Sequence, residues 1–107
     1  MRKGVEFETF AVEYLQSLGY RILYRNYHCR FGEIDIVAID RNTLVFVEVK
    51  GGRSKNLGDP AERFDRRKLQ RILRCVEEFL QKNPADSYRL EVVVIRGKDV
   101  EHIREVF

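Results

Sequence analysis

Two acidic residues interrupt two apolar stretches of the sequence, and their spacing makes them candidates for metal chemistry. Asp35 lies in the stretch 33–39 and Glu48 in the stretch 44–50, and both stretches are apolar enough to predict β-strands buried on both faces. The polar segment 40–43 between them predicts a hairpin turn. Either a two-residue loop or a symmetric four-residue loop would set Asp35 directly opposite Glu48.

Two half-buried carboxylates in that position need a compensating group. Directly opposed side chains have Cβ atoms about 5 Å apart, so the pair requires a cation, a shared proton or a strong hydrogen-bond donor. Carboxylate oxygens are hard ligands, and Asp35 and Glu48 together therefore predict a site for Mg²⁺ or Mn²⁺. Lys50, one pleat beyond Glu48 on the same strand face, can stabilise a developing negative charge or position a water nucleophile.

Glu33 is a further candidate at the same site, because the same hairpin register sets it opposite Lys50. This pairing also supports a simpler interpretation. On a half-exposed strand face, Glu33 and Lys50 would form a solvated ion pair, and no metal would be needed. The phenylalanine and valine residues that flank these charges favour the buried interpretation.

Two predicted helices each carry one charged residue close to an apolar stripe. Glu8 lies at the edge of the stripe of a first helix, at 7–18, and can complete a metal site; the alternative is a boundary glutamate in water. A second helix is expected at 59–82, where Lys68 lies one turn before Ile72 in the apolar stripe. Lys68 can contact nucleic acid, and the alternative is a lysine that extends its amine into water from the end of the helix.

Basic residues are concentrated in the middle of a chain whose net charge is only +3. Nine basic and five acidic residues lie within 51–82, and Arg53 and Lys55 fall in an expected glycine-containing loop. This local excess indicates a polyanionic partner, so we expect Arg53, Lys55 and Lys68 to contact nucleic acid. The outward-facing arginines of the second helix are either a solvated face or part of a path for phosphates.

The predicted elements follow one another as a helix, three strands, a helix and a strand. A strand at 20–27 precedes the hairpin, and the last strand is at 88–95. The second helix is a right-handed crossover, so the strands 44–50 and 88–95 should be parallel neighbours, whereas the earlier strands should be antiparallel. Residues 96–99 should turn into a short tail. The expected fold class is α/β, a mixed central sheet flanked by helices in one domain, 1–107.

The composition excludes several classes of protein. Hydrophobic residues make up 44% of the chain, which excludes a disordered protein, and no apolar run approaches the length of a membrane span. The N-terminus is charged where a signal peptide would be apolar, so a cytoplasmic protein is expected. Cys29 and Cys75 lie far apart without a C-x-x-C pair, so neither a disulfide framework nor a zinc knuckle is indicated. The sequence contains no glycine-rich phosphate loop and no nucleophilic serine motif.

The two hairpin motifs, Gly32-Glu-Ile-Asp35 and Phe46-Val-Glu-Val-Lys50, carry a resemblance to a known family. With them the sequence resembles the YraN family of small bacterial proteins, which is itself similar to the archaeal Holliday junction resolvases and to the wider PD-(D/E)XK nuclease superfamily. The resemblance covers nearly the whole chain. Further segments that match are Glu8-Thr-Phe-Ala11, Arg25-Asn26-Tyr27, Gly58-Asp-Pro60 and Lys68.

The resemblance implies a restriction-endonuclease-like αβββαβ core and metal-dependent phosphodiester hydrolysis. By this resemblance Asp35 and Glu48 would be metal ligands and Lys50 the catalytic lysine. Glu8 would be the helix carboxylate of resolvase-type members and would bind or orient a second metal or water. Such relatives act as dimers on structured or branched DNA, which favours DNA over RNA and implies a homodimer. One departure is Gly52, where the family usually has a basic residue.

Three functions are open at this point. The leading hypothesis is a Mg²⁺- or Mn²⁺-dependent endonuclease of the resolvase-like type. The second is a non-catalytic nucleic-acid-binding module that keeps the nuclease fold, although opposed carboxylates give such a module no advantage. The third is a structural or partner-binding protein, for which a small net charge would suffice.

Overall fold

A five-stranded mixed sheet with a helix on each face organises the chain, of which the computed structural model describes residues 5–51 and 66–106. The described elements are α1 (Val5–Ser17), β1 (Arg21–Cys29), β2 (Gly32–Asp40), β3 (Thr43–Gly51), α2 (Arg66–Lys82), β4 (Tyr88–Arg96) and β5 (Asp99–Ile103). The strands lie side by side in sequence order from β1 to β5. β3 and β4 run parallel, and the other neighbouring strands are antiparallel.

Each face of the sheet is covered by an apolar core that includes one helix. The α1-side core consists of the buried residues Ala11, Leu15, Tyr20, Ile36, Ala38, Val45, Val47, Val93 and Ile95. The α2-side core consists of the buried residues Ile34, Val37, Leu44, Phe46, Ile72, Cys75, Val76, Phe79 and Leu90. Burial on both faces explains why the central strands are almost continuously apolar, and it makes any charged residue within them conspicuous.

The end of α1 follows from its sequence. Gly19 has a φ of 93°, a conformation that glycine adopts without the steric cost that a Cβ would bring. The Gly19 N–H donates to the Gln16 carbonyl and the Tyr20 N–H to the Leu15 carbonyl, the pair of hydrogen bonds of a Schellman motif. The motif directs the chain from the helix into β1 at the edge of the sheet.

The predicted fold class is confirmed. The molecule has a mixed α/β, restriction-endonuclease-like αβββαβ core, with the second helix crossing between two parallel strands. The hairpin register is also confirmed along the paired part of β2 and β3, since Ile36 lies opposite Val47 and Ala38 opposite Val45. The expected beginning of the second helix near Asp59 lies outside the described residues.

Two expectations from the sequence are wrong. The tail expected after residue 99 is strand β5, which pairs antiparallel with β4 after a turn at Gly97, where φ is 61°. Cys29 and Cys75 form a disulfide with a Cα–Cα distance of 5.6 Å, although no disulfide framework was indicated by their spacing. The packing of α2 across β1 and β2 brings these two residues together. Within the described ranges, neither helix is long and apolar enough to cross a membrane.

Candidate functional site

The backbone pairing of the β2–β3 hairpin ends next to the two carboxylates, Asp35 and Glu48. Backbone pairing between β2 and β3 extends from Asp40 and Thr43 to Ile36 and Val47. One residue further, the Asp35 carboxylate replaces the backbone as acceptor, because its Oδ2 accepts a hydrogen bond from the Val49 N–H at 2.8 Å. The side chain of Asp35 is therefore held between the two strands, beside Glu48.

A second irregularity lies on the other side of β2. The β1–β2 pairs Arg25–Ile36 and Tyr27–Ile34 are regular, but Asn26, between them and across from Asp35, has a φ of 53°. Asparagine tolerates this left-handed conformation better than most residues do. Around Asp35 the alternation of β2 is interrupted, since Ile34 belongs to the α2-side core and Ile36 to the α1-side core. The sequence Arg25-Asn26-Tyr27 thus shapes the strand that carries Asp35.

Asp35 and Glu48 form a pair of carboxyl groups that influence each other's ionisation. Glu48 is 5% exposed. Burial raises the pKa of Glu48 far above its ordinary value, and the hydrogen bond with Asp35 and the charge of Asp35 raise it further. A hydrogen bond between two carboxyl groups requires a proton on one of them, so a divalent cation could replace that proton. The oxygen donors of this pair fit a hard ion such as Mg²⁺ or Mn²⁺.

Lys68 contacts the carboxyl pair, and Lys50 follows Glu48 on the same strand. Lys50 follows Glu48 by two residues on β3, is half-buried, and lies opposite Val94 of β4. Lys68, in the first turn of α2, has its Nζ 4.0 Å from Oε2 of Glu48. The positive charge of Lys68 acts to lower the pKa of Glu48 but does not outweigh burial and Asp35.

The two other acidic candidates, Glu33 and Glu8, lie on different elements. Glu33 is half-buried on β2, and its Oε2 is 3.4 Å from Nδ1 of His28 on β1. Glu8 is 4% exposed on α1. Its neighbour Phe7 covers Gly51 so closely that a Cβ at position 51 would clash with the ring. In residues 5–51 and 66–106, no three His, Cys, Asp or Glu side chains form a cluster suited to a metal ion, and the metal role of Glu8 stays a prediction.

Of the three residues predicted to contact nucleic acid, the structure describes Lys68, and their role stays a prediction. Lys68 is described and lies beside the carboxyl pair. Arg53 and Lys55 lie outside the described residues.

Several contacts attach the turn between β1 and β2 to α2, and these contacts were not predicted from the sequence. Besides the disulfide, the Arg30 N–H donates to Oε2 of Glu78 at 3.2 Å, and the Arg74 guanidinium lies 5.2 Å from the centre of the Phe31 ring. These contacts hold the start of β2 against the helix that carries Lys68.

A second buried carboxylate, Glu91 on β4, was also missed. Glu91 is completely buried and accepts hydrogen bonds from Tyr20, Arg89 and His102, with Arg104 3.8 Å away. Burial alone would raise the pKa of Glu91, but the hydrogen bonds from His102, Arg89 and Tyr20 outweigh it and hold this pKa below its usual value. An acid within the apolar run 90–95 was the available signal. Because Glu91 has three donors, its environment favours the anion, whereas burial and the charge of Asp35 favour the protonated form of Glu48.

Comparison with known proteins places these residues in a family. Residues 7–95 match the family described as "Uncharacterised protein family UPF0102". A UPF0102 protein of Sulfurihydrogenibium sp. (strain YO3AOP1) is 38% identical over 99% of this chain and 94% of its own length. Similar proteins from Persephonella marina and Syntrophus aciditrophicus are 41% and 43% identical, over 98% and 100% of this chain and 92% and 89% of their own lengths.

Proposed function

The chain belongs to the uncharacterised protein family UPF0102, the YraN family, and from this premise we propose that it is a metal-dependent nuclease acting on structured or branched DNA. The observation that carries the proposal is the carboxyl pair inside the sheet, in which Asp35 is held by the Val49 N–H beside the buried Glu48. A buried pair of ionised carboxylates destabilises a protein unless a cation compensates it, and a divalent metal is the cation that fits these oxygen ligands.

Asp35 and Glu48 would hold Mg²⁺ or Mn²⁺, and Glu8 would bind or orient a second metal or a water. A bound divalent ion would act as a Lewis acid on the phosphodiester and lower the pKa of a coordinated water. The Val49 N–H, by its hydrogen bond to Asp35, would keep that carboxylate in one orientation when the pair loses its proton.

Lys50 would act on the reacting phosphate. Its position two residues beyond Glu48 on the same strand puts its amine on the side of the sheet to which Glu48 points. A fixed ammonium group there would stabilise the negative charge that develops on the phosphate in the transition state. Lys68, beside Glu48, would contact backbone phosphates and so orient the strand. Arg53 and Lys55, which follow β3 in the sequence, would add further phosphate contacts.

Two further aspects of the proposal follow from the substrate and the family. A DNA substrate would place the protein in the cytoplasm. The Cys29–Cys75 disulfide is compatible with that location in a hyperthermophile, because intracellular proteins of such organisms are rich in disulfides. A homodimer would allow two sites to cut two strands of a branched substrate.

The test is incubation of the protein with a panel of labelled DNA and RNA structures in Mg²⁺, in Mn²⁺ and in EDTA. The panel contains single strands, blunt duplex, flaps and a four-way junction. We expect metal-dependent cleavage of at least one branched DNA and none in EDTA. Salt-sensitive binding without cleavage in any metal would contradict the proposal and favour the non-catalytic binding module.

A further inference from the structure

A row of arginines on α2 links the carboxyl pair to an exposed aromatic ring. Arg67, Arg71 and Arg74 are all exposed and follow one another at intervals of four and three residues, so they lie along one side of the helix. In the described parts of the chain, none of the three forms an ion pair with a carboxylate. This side of α2 therefore presents net positive charge to a partner.

The arginine row runs from the neighbourhood of the carboxyl pair to the turn between β1 and β2. Near its start, Lys68 lies 4.0 Å from Glu48. At its other end, the Arg74 guanidinium lies over the ring of Phe31, in the turn between β1 and β2. Because Glu78, one turn further along the same side, accepts a hydrogen bond from the Arg30 N–H, this side of the helix faces the turn.

Phe31 is an exposed aromatic residue beside this charged surface. It is 38% exposed and lies in the turn just before β2, four positions ahead of Asp35 in the sequence. The turn that carries it is held by the Cys29–Cys75 disulfide. Arg74 fixes the orientation of the ring, so little entropy would be lost when another flat group stacks on its exposed part.

We propose that Phe31 and Arg74 form a stacking platform for an unpaired base, and that Arg71 and Arg67 lead the attached phosphates to the carboxyl pair. This inference rests on the proposed nuclease function and names its substrate class as DNA with a single-stranded segment next to the cleavage site. Aromatic rings and guanidinium planes accept any exposed base face, whereas a base inside an intact duplex offers no free face to stack on. The platform would thus select unpaired DNA without reading its sequence.

The geometry sets the distance between the unpaired base and the cut. From Lys68 to Arg74 the helix axis rises about 9 Å. Nucleotides in one strand of a duplex are spaced about 3.4 Å apart along the axis, so this rise corresponds to about three nucleotides. Cleavage is expected about three nucleotides from the base that stacks on Phe31.

The test measures binding in EDTA, where no cleavage is needed. The probes are a blunt duplex and the same duplex with a short single-stranded extension that carries a fluorescent base analogue. We expect the wild-type protein to bind the extended duplex more tightly and to quench the analogue. Phe31→Ala should weaken binding of the extended duplex by about 5- to 100-fold and leave binding of the blunt duplex within about twofold.

Two matched variants separate stacking from folding. Phe31→Tyr keeps an aromatic face and should bind the extended duplex like the wild type, whereas Phe31→Leu keeps an apolar side chain without a ring and should lose the preference. Arg71→Ala should weaken binding of the extended duplex and reduce its salt slope by about 0.7, the loss of one phosphate contact with a single strand. Thermal unfolding of each variant identifies any that is misfolded.

The outcomes distinguish this inference from the nuclease proposal. If the Phe31→Leu protein binds both probes as the wild type does, or loses both equally, the stacking platform is wrong even where cleavage is observed. If the preference for the extended duplex depends on the Phe31 ring while no metal supports cleavage, the result supports the stacking platform and contradicts the nuclease proposal.

Discussion

The Oδ2 atom of Asp35 accepts a hydrogen bond from the backbone N–H of Val49 at 2.8 Å, one residue beyond the last backbone pair of the β2–β3 hairpin. This contact joins the two strands by a side chain instead of a backbone bond. It leaves Glu48 beside Asp35, and the charge of Asp35 adds to burial in raising the pKa of Glu48. The unpaired end of an otherwise regular hairpin is therefore the place where the fold keeps two acids in contact.

The carboxyl pair should make the metal-free protein less stable at high pH. Burial and Asp35 raise the pKa of Glu48 in the folded state, so the folded protein binds a proton more tightly than the unfolded chain. Its contribution is fully present below the unfolded glutamate pKa of about 4.3 and is lost as pH rises above it, by up to about 1.4 kcal/mol per pH unit. Urea unfolding in EDTA between pH 5 and pH 9 measures this loss.

Glu48→Gln isolates the effect of this one group. The variant keeps the shape of the side chain and cannot ionise, so the free energy of unfolding should fall less with pH than in the wild type. Glu101→Gln, a change at an exposed acid on β5, is the matched control and should follow the wild-type curve. Parallel curves for the wild type and Glu48→Gln would show that Glu48 titrates normally.

The hairpin and its register were predictable because both strands are buried on both faces. A shift of one residue between β2 and β3 would separate Asp35 from Glu48 and set each against an apolar residue. Strand β5 was not predictable in the same way, since its five residues at the sheet edge include charged and polar side chains without an apolar run.

Contacts between distant elements could not be derived from local patterns. The partners of Glu91 come from the segment after α1, from β4, from β5 and from the residues that follow it. The Cys29–Cys75 disulfide joins residues 46 positions apart, whose proximity depends on how α2 packs on the sheet. Sequence periodicity identifies the face that a helix buries, but not which side chain it meets there.

Lys50 should be needed for cleavage and not for metal binding. Lys50→Met removes the ammonium group near the reacting phosphate and should lower the cleavage rate by about 100- to 1,000-fold, because one fixed charge is lost from the transition state. Affinity for Mn²⁺ should stay unchanged, as measured by titration calorimetry. Lys98→Met, in the turn between β4 and β5, is the control and should cleave normally. Equal cleavage rates for Lys50→Met and Lys98→Met would show that Lys50 has no role in cleavage.

Reduction of the Cys29–Cys75 disulfide should destabilise the protein. The bond closes a loop of 46 residues and restricts the unfolded chain, and such bonds stabilise proteins by typically about 2–4 kcal/mol. Urea unfolding with and without a reducing agent gives the difference. A protein with both cysteines changed to serine should unfold like the reduced wild type and should not respond to the reducing agent. An identical unfolding curve for oxidised and reduced wild type would contradict the expected contribution.

Glu91 should be a stability residue. Glu91→Gln leaves Arg89 and its neighbours without their buried anion, so the free energy of unfolding should fall by about 3–5 kcal/mol. Glu101→Gln, which removes an exposed partner of Arg96, should cost about 0–1 kcal/mol in the same urea titration. If the two variants lose equal stability, the buried cluster contributes no more than a surface ion pair.

The most direct test of the central claim is titration of the metal-free protein with Mn²⁺ in a calorimeter. The wild-type protein should show saturable binding with release of a proton from the carboxyl pair, so the measured heat should depend on the ionisation enthalpy of the buffer. Glu48→Gln should weaken binding by about 10-fold or more, while Glu101→Gln should bind as the wild type does. Absence of saturable Mn²⁺ binding by the folded wild-type protein, or equal affinity in Glu48→Gln, would contradict the claim that Asp35 and Glu48 form a metal site.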